Sequence, residues 1–208
     1  DDRVSRGLGD VYKRQQTRST SVYLPSFVVP MLPEAISNEL CSLKADVDRL
    51  ALVCDMQVAA NGEVRDFDFY DAVIRSHGRL TYEQVQDHLD NGRELPVARS
   101  DQKQVAKSVA ALAMLHDVFR KARERRGGLD FETREGVIEV VDGHVTSVNP
   151  VQRLTAHQMI EEAMINANVC AAQFIERAEQ CCLYRVHEAP DPIKLEELGQ
   201  DLRAVGLQ

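Results

Sequence analysis

Two dipeptides constrain this chain more than anything else in it. Asn61-Gly62 and Asp142-Gly143 each stand between runs rich in β-branched and aromatic residues. Such pairs favour the positive-φ turns that join antiparallel strands. Before the first, Leu50, Leu52, Cys54, Met56 and Val58 alternate with Arg49, Ala51, Val53, Asp55 and Gln57. That period of two predicts a strand with one strongly apolar face and one partly wet face. Val64 to about Ser76 returns as its partner. Around the second turn, Val137, Ile138 and Val140 precede it and Val145 and Val148 follow, which predicts another hairpin within residues 129–148.

Between and after these hairpins the period changes. Thr81 with Gln84 three residues on forms a capping box that opens a short helix ending near Asn91-Gly92. A long helix is predicted from about Ser100 to Arg126, buried along Val105, Val109, Leu112, Leu115 and Phe119 and stopped by Gly127-Gly128. A second long helix is predicted from about Arg153 to Ala178. After it, Cys181–His187 reads as loop or short strand, and IKLEELGQDLRAVGL begins a last helix. Prolines at 25, 30 and 33 hold residues 21–33 in extended segments that lead into a helical turn at 34–43. The fold class is α+β: mixed or antiparallel sheet with packed long helices.

The chain has 208 residues, a charge of -8 and a 44% apolar fraction. These values fit a globular domain and argue against a simple basic module that coats nucleic acid, although a local groove can still focus positive charge. No run of about 18 apolar residues suggests a membrane span, so a soluble, intracellular protein is expected. Cys41, Cys54, Cys170, Cys181 and Cys182 make no C-x-x-C pair, so neither zinc nor a disulfide framework is expected, and buried thiols are the simple reading. Residues 1–15 are polar and aperiodic and are expected to be a non-native or disordered leader; residues 16–208 form the domain.

Three patterns could carry chemistry. Asp66 and Asp68 lie two apart on a predicted strand, so both carboxylates project from one face and could hold Mg²⁺. The alternative is a wet hairpin face. His157, Glu161, Met164 and Asn168 fall at i, i+4, i+7 and i+11 of the second long helix, with Glu162 adjacent. This stripe suits either a binding site or the pairing of a solvated face. Tyr23, held among prolines, can stack on a nucleobase or simply pack. His187, beside Arg185, lies in a loop where phosphate contact is conceivable. His77, His88, His116 and His144 have no ligand spacing.

Beyond these patterns, the chain from about Thr20 onward resembles the catalytic domain of the ribonuclease II/ribonuclease R family. The stretches that carry the resemblance are SVYLPSFVVPMLPEAISNELCSL (21–43), DRLALVCDM (48–56), FYDAVIRSHGRLTYEQV (69–85), KARERRGGLDFE (121–132), AHQMIEEAMINANVCAAQFI (156–175) and YRVHEAPDP (184–192). RERRGGLDFE looks more like the ribonuclease R branch. The resemblance implies a central part of a cytoplasmic, Mg²⁺-dependent 3′→5′ exoribonuclease that degrades single-stranded RNA to nucleoside 5′-monophosphates. It further implies flanking cold-shock and S1-type domains in the parent protein. Tyr23 matches the base-stacking tyrosine. Glu161 or Glu162, with Asn168, matches a channel-lining helix, and Arg185 and His187 match a segment bordering the channel. The family's aspartate cluster lies upstream of the segment matching Tyr23 and its phosphate-assisting arginine lies downstream, so no catalytic residue or metal ligand is expected here. The alternative is a catalytically inactive member that keeps RNA binding.

Overall fold

A computed structural model describes residues 20–24, 27–128, 136–150 and 152–206. The expected leader, residues 1–15, lies outside them, as do residues 129–135 of the second predicted hairpin segment. The chain forms two compact units, Asp1–Cys170 and Ala171–Gln208.

In the first unit, β1 (Val22–Tyr23) pairs antiparallel with β2 (Val28–Val29), and a short π-type helical turn follows at Ala35–Leu40. β3 (Asp48–Val58) and β4 (Val64–Arg75) form a long antiparallel ribbon, with Leu50 opposite Val73 and Asp55 opposite Asp68. The capping box is present: Thr81 Oγ1 accepts from the Gln84 N–H at 3.3 Å, and the Gln84 side chain accepts from the Thr81 N–H at 2.9 Å. It opens α1 (Tyr82–Asn91), which closes on Gly92 at φ +69°. α2 spans Gln102–Arg125 and ends before Gly127, at φ +78°. β5 (Gly136–Val141) and β6 (His144–Pro150) turn through Asp142 and Gly143, at φ 52° and 79°, the two positive values of a type I′ turn. α3 spans Thr155–Arg177.

The sheet is therefore three separate two-stranded antiparallel ribbons among the described residues, and the parallel component reduces to one isolated bridge, Ala45 to Ser76. The core gathers around the long helices: Leu95, Val109, Phe119, Ala122, Ala156, Met159 and Cys170 are buried. The stripe predicted for α2 is the inward one, joined by His116 and Ala122. The second unit holds the end of α3, an irregular stretch over 180–190 and α4 (Pro192–Ala204). Asp191 caps α4 by accepting from the Ile193 N–H at 2.9 Å.

Two expectations fail on packing. Leu50 and Leu52, assigned to the apolar inner face of β3, are 85% and 71% exposed, while Arg49, Ala51 and Val53 on the other face are half-covered. From Cys54 onward the expected face is the covered one. The twist of so long a ribbon carries first one face and then the other toward the rest of the molecule. The cysteines also differ from expectation: only Cys170 is buried, Cys54 and Cys182 are half-buried, and Cys41 and Cys181 are exposed.

Candidate functional site

The sequence places Tyr23 between Val22 and Leu24 on an extended strap. The backbone of β1 pairs Tyr23 with Val28, and the Leu24 N–H donates to Phe27 O at 3.0 Å, closing the strap on itself. The Met31 N–H reaches back to Ser21 Oγ at 3.0 Å. With its main chain fixed this way, Tyr23 stands 79% exposed. Phe27 is a second exposed aromatic on the same strap; its place four residues after Tyr23 was the available signal.

The helix stripe resolves into two parts with different roles. At the N-terminus of α3, the Leu154 N–H donates to His157 Nδ1 at 3.2 Å, and the His157 ring stacks on Tyr82 of α1 with centroids 4.0 Å apart. Gln86 Oε1 accepts from the Ala156 N–H at 3.1 Å, so α1 caps a helix that begins 70 residues later in the chain. His157 is thus occupied in pinning α3 to α1.

One turn further on, Glu161 and Glu162 meet two arginines. Arg153 Nη2 lies 2.7 Å from Glu161 Oε2, and Arg123 Nη1 lies 3.5 Å from Glu161 Oε1 and 3.0 Å from Glu162 Oε1. The two glutamates differ in access: the side chain of Glu161 is 40% exposed and that of Glu162 only 5%. The Glu162 hydrogen bond, opposed by partial burial, raises the Arg123 guanidinium above its ordinary value and keeps it charged. Asn166 is also buried and donates to Glu162 O at 2.8 Å. The inward face of α3 is therefore Ala156, Met159, Glu162, Asn166 and Cys170, two of them polar, whereas the apolar Ile160 and Phe174 are exposed. Asn168 and Met164 stand on the exposed side. Arg123 and Arg153 were not among the expected site residues. Their only signal was the basic end of α2 and a lone arginine before α3.

Arg185 and His187 belong to the second unit, in its irregular, exposed stretch. On β4, Asp66 and Asp68 do share a face, with Asp55 directly across from Asp68 and Gln57 across from Asp66. Each carboxylate accepts from the following backbone N–H, Phe67 at 3.0 Å and Phe69 at 2.8 Å. Divalent hard cations need several converging oxygens. Among the described residues no group of three or more His, Cys, Asp or Glu is placed to hold a metal ion, so these carboxylates do not fit a magnesium seat. No helix among them is long and apolar enough to cross a membrane.

The sequence is 41% identical to ribonuclease R of Escherichia coli (strain K12) over 197 residues, 94% of this chain and 24% of that protein. It is 42% identical to ribonuclease R of Vibrio cholerae over 196 residues, 94% of this chain and 24% of that one. Its fold superposes on Mycoplasma genitalium RNase R, solved in complex with ribose methylated single-stranded RNA, with a TM-score of 0.88 at 31% identity, covering 95% of this chain and 30% of that one. The chain thus spans about a quarter of the length of the curated relatives it matches. The pattern of the RNB domain matches residues 6–207, and the chain belongs to the RNB domain family.

Proposed function

We propose that this chain is part of a 3′→5′ exoribonuclease that hydrolyses single-stranded RNA to nucleoside 5′-monophosphates, and that it supplies substrate contacts. The observation that carries this reading is the similarity to ribonuclease R, in sequence over 94% of the chain and in fold over 95% of it. Tyr23 stacks on a base, with Glu161 and Asn168 on the accessible side of α3 facing the RNA. Arg185 and His187 approach phosphates from their own segment. Glu162 lies on the same stretch of helix but is committed inward to Arg123. Magnesium, its carboxylate ligands and the cold-shock and S1-type domains belong to the rest of a cytoplasmic parent protein. What supports placing the ligands elsewhere is the pair Asp66 and Asp68, each turned onto the next backbone N–H. Residues 16–208 are the catalytic-domain portion after a leader. The family match reaches back to residue 6, and thermal unfolding of chains starting at 6 and at 16 decides between the two boundaries.

The test is to incubate the folded chain with 5′-end-labelled single-stranded RNA and Mg²⁺, following binding by anisotropy and length on a denaturing gel. Binding without shortening is expected. Tyr23→Ala removes a stacking contact of about 1–3 kcal/mol and weakens binding roughly 5- to 150-fold. No binding by folded protein, or no effect of that substitution, overturns the reading. Shortening from the 3′ end would return the metal site to Asp66 and Asp68.

A further inference from the structure

The seam between α2 and α3 contains a small cavity of about 30 Å³. Two buried side chains line it from opposite helices: His116 of α2, 5% exposed, and Glu162 of α3, 4% exposed. Each keeps one polar atom with no hydrogen-bond partner, His116 Nδ1 and Glu162 Oε2. Asp117 Oδ1 lies 3.4 Å from His116 Nδ1, but at an angle that makes no hydrogen bond. Buried polar atoms are almost always satisfied, by protein or by ordered water.

We propose that this cavity is a binding site for one ordered water molecule, which bridges His116 Nδ1 and Glu162 Oε2 and completes the junction between the two helices. Three observations converge on water. The volume suits a single molecule, since a water needs about 10–15 Å³ of probe-filled space and two to four polar partners. The lining is charge-balanced, with Arg120, Arg123 and Arg153 against Glu124, Glu161 and Glu162, so it selects neither an anion nor a cation. With the imidazole of His116 in its Nε2–H form, the two atoms also call for a donor between them. An ionised carboxylate only accepts, and with its proton on Nε2 the imidazole Nδ1 only accepts as well. Two acceptors cannot bond to each other, whereas a water donates one O–H to each.

The site has a mechanical consequence. Glu162 Oε1 is held by Arg123 at 3.0 Å; with Oε2 held by the water, the carboxylate has no freedom left. The rotation of α3 about its axis is then locked, and with it the side that carries Glu161 and Asn168. This goes beyond RNA contact and does not depend on it.

The test is a crystal structure of the chain at a resolution that shows ordered water, joined to water-¹⁷O magnetic relaxation dispersion of the native protein and of His116→Leu. The expected result is an isolated density peak at hydrogen-bond distance from both atoms, and one fewer long-lived water in the variant. An empty or collapsed cavity with direct His116–Glu162 contact overturns the proposal. So does a peak with the short contacts of a metal cation, or an unchanged water count in a folded variant. If His116→Leu does not fold, the density in the native crystal decides.

Discussion

Gly62 sits where the turn between β3 and β4 meets the last turns of α2, and replacing it with alanine probes that contact directly. Its φ is +81°, a region that costs an L-residue about 1–2 kcal/mol. A Cβ there would also lie 2.7 Å from the carbonyl oxygen of Val118 and 2.8 Å from Cβ of Ala122. Neither atom is the end of a flexible side chain, so turn and helix must separate. Overpacking of this kind adds about 1–3 kcal/mol. The separation also strains the hydrogen bond from Arg125 to Asn61 O, which ties the turn to α2. After a small gain from the less flexible unfolded chain, Gly62→Ala costs about 2–4 kcal/mol. Gly92 is the matched control: its φ is +69°, but a Cβ there meets nothing within 4 Å. Gly92→Ala carries only the backbone cost, about 1 kcal/mol. The two variants are compared by urea denaturation and by calorimetry. Their difference of about 2 kcal/mol corresponds to about 4–8 °C in Tm for a chain of this size. Equal losses would refute the docking of the ribbon turn on α2.

Two further outcomes test the electrostatics. Arg123→Met leaves the carboxylate of Glu162 buried beside a lost partner and costs about 3 kcal/mol, whereas the double change with Glu162→Leu recovers most of it; a double-mutant cycle with coupling near zero would remove the pair from the account of the seam. At the start of α1, the Glu83 carboxyl accepts from its own backbone N–H and from the Thr81 hydroxyl, and its titration lies below the ordinary 4.5. A depressed folded value means its stabilising contribution is full above 4.5 and is lost as pH falls through the lowered value. The stability gap between native protein and Glu83→Gln should therefore narrow as pH falls from above 4.5 through the lowered value, and NMR titration should place the Glu83 midpoint below 4.5; a gap that does not change with pH would contradict this.

Much of the architecture was legible in the sequence because it is governed by neighbours in the chain. Asp142-Gly143 turns through two positive φ values of its own, and the Asn61-Gly62 turn relies on the positive φ of Gly62. Thr81 and Gln84 cap α1 through atoms three residues apart. The stripe from Val105 to Phe119 marks the inward side of α2 because its period matches the helix. Whether Tyr23 would pack or stand free was left open by the sequence, and it stands 79% exposed.

What the sequence could not decide depends on partners distant in the chain. Both faces of β3 carry apolar residues, so period alone does not say which half of the ribbon is covered, and Leu50 and Leu52 ended outside. Glu161 and Glu162 are adjacent and chemically identical, yet one is half-exposed and the other buried. The difference is one of helix face: Glu162 lies on the buried side of α3 with Arg123, 39 residues earlier, at 3.0 Å, while Glu161 stands at its edge, 3.5 Å from the same guanidinium. A buried carboxylate is tolerated only where such a cation and further hydrogen bonds meet it. Local sequence thus set the elements and the turns between them; only the packing of α2 against α3 determined which glutamate the interior claimed and which was left to face a ligand.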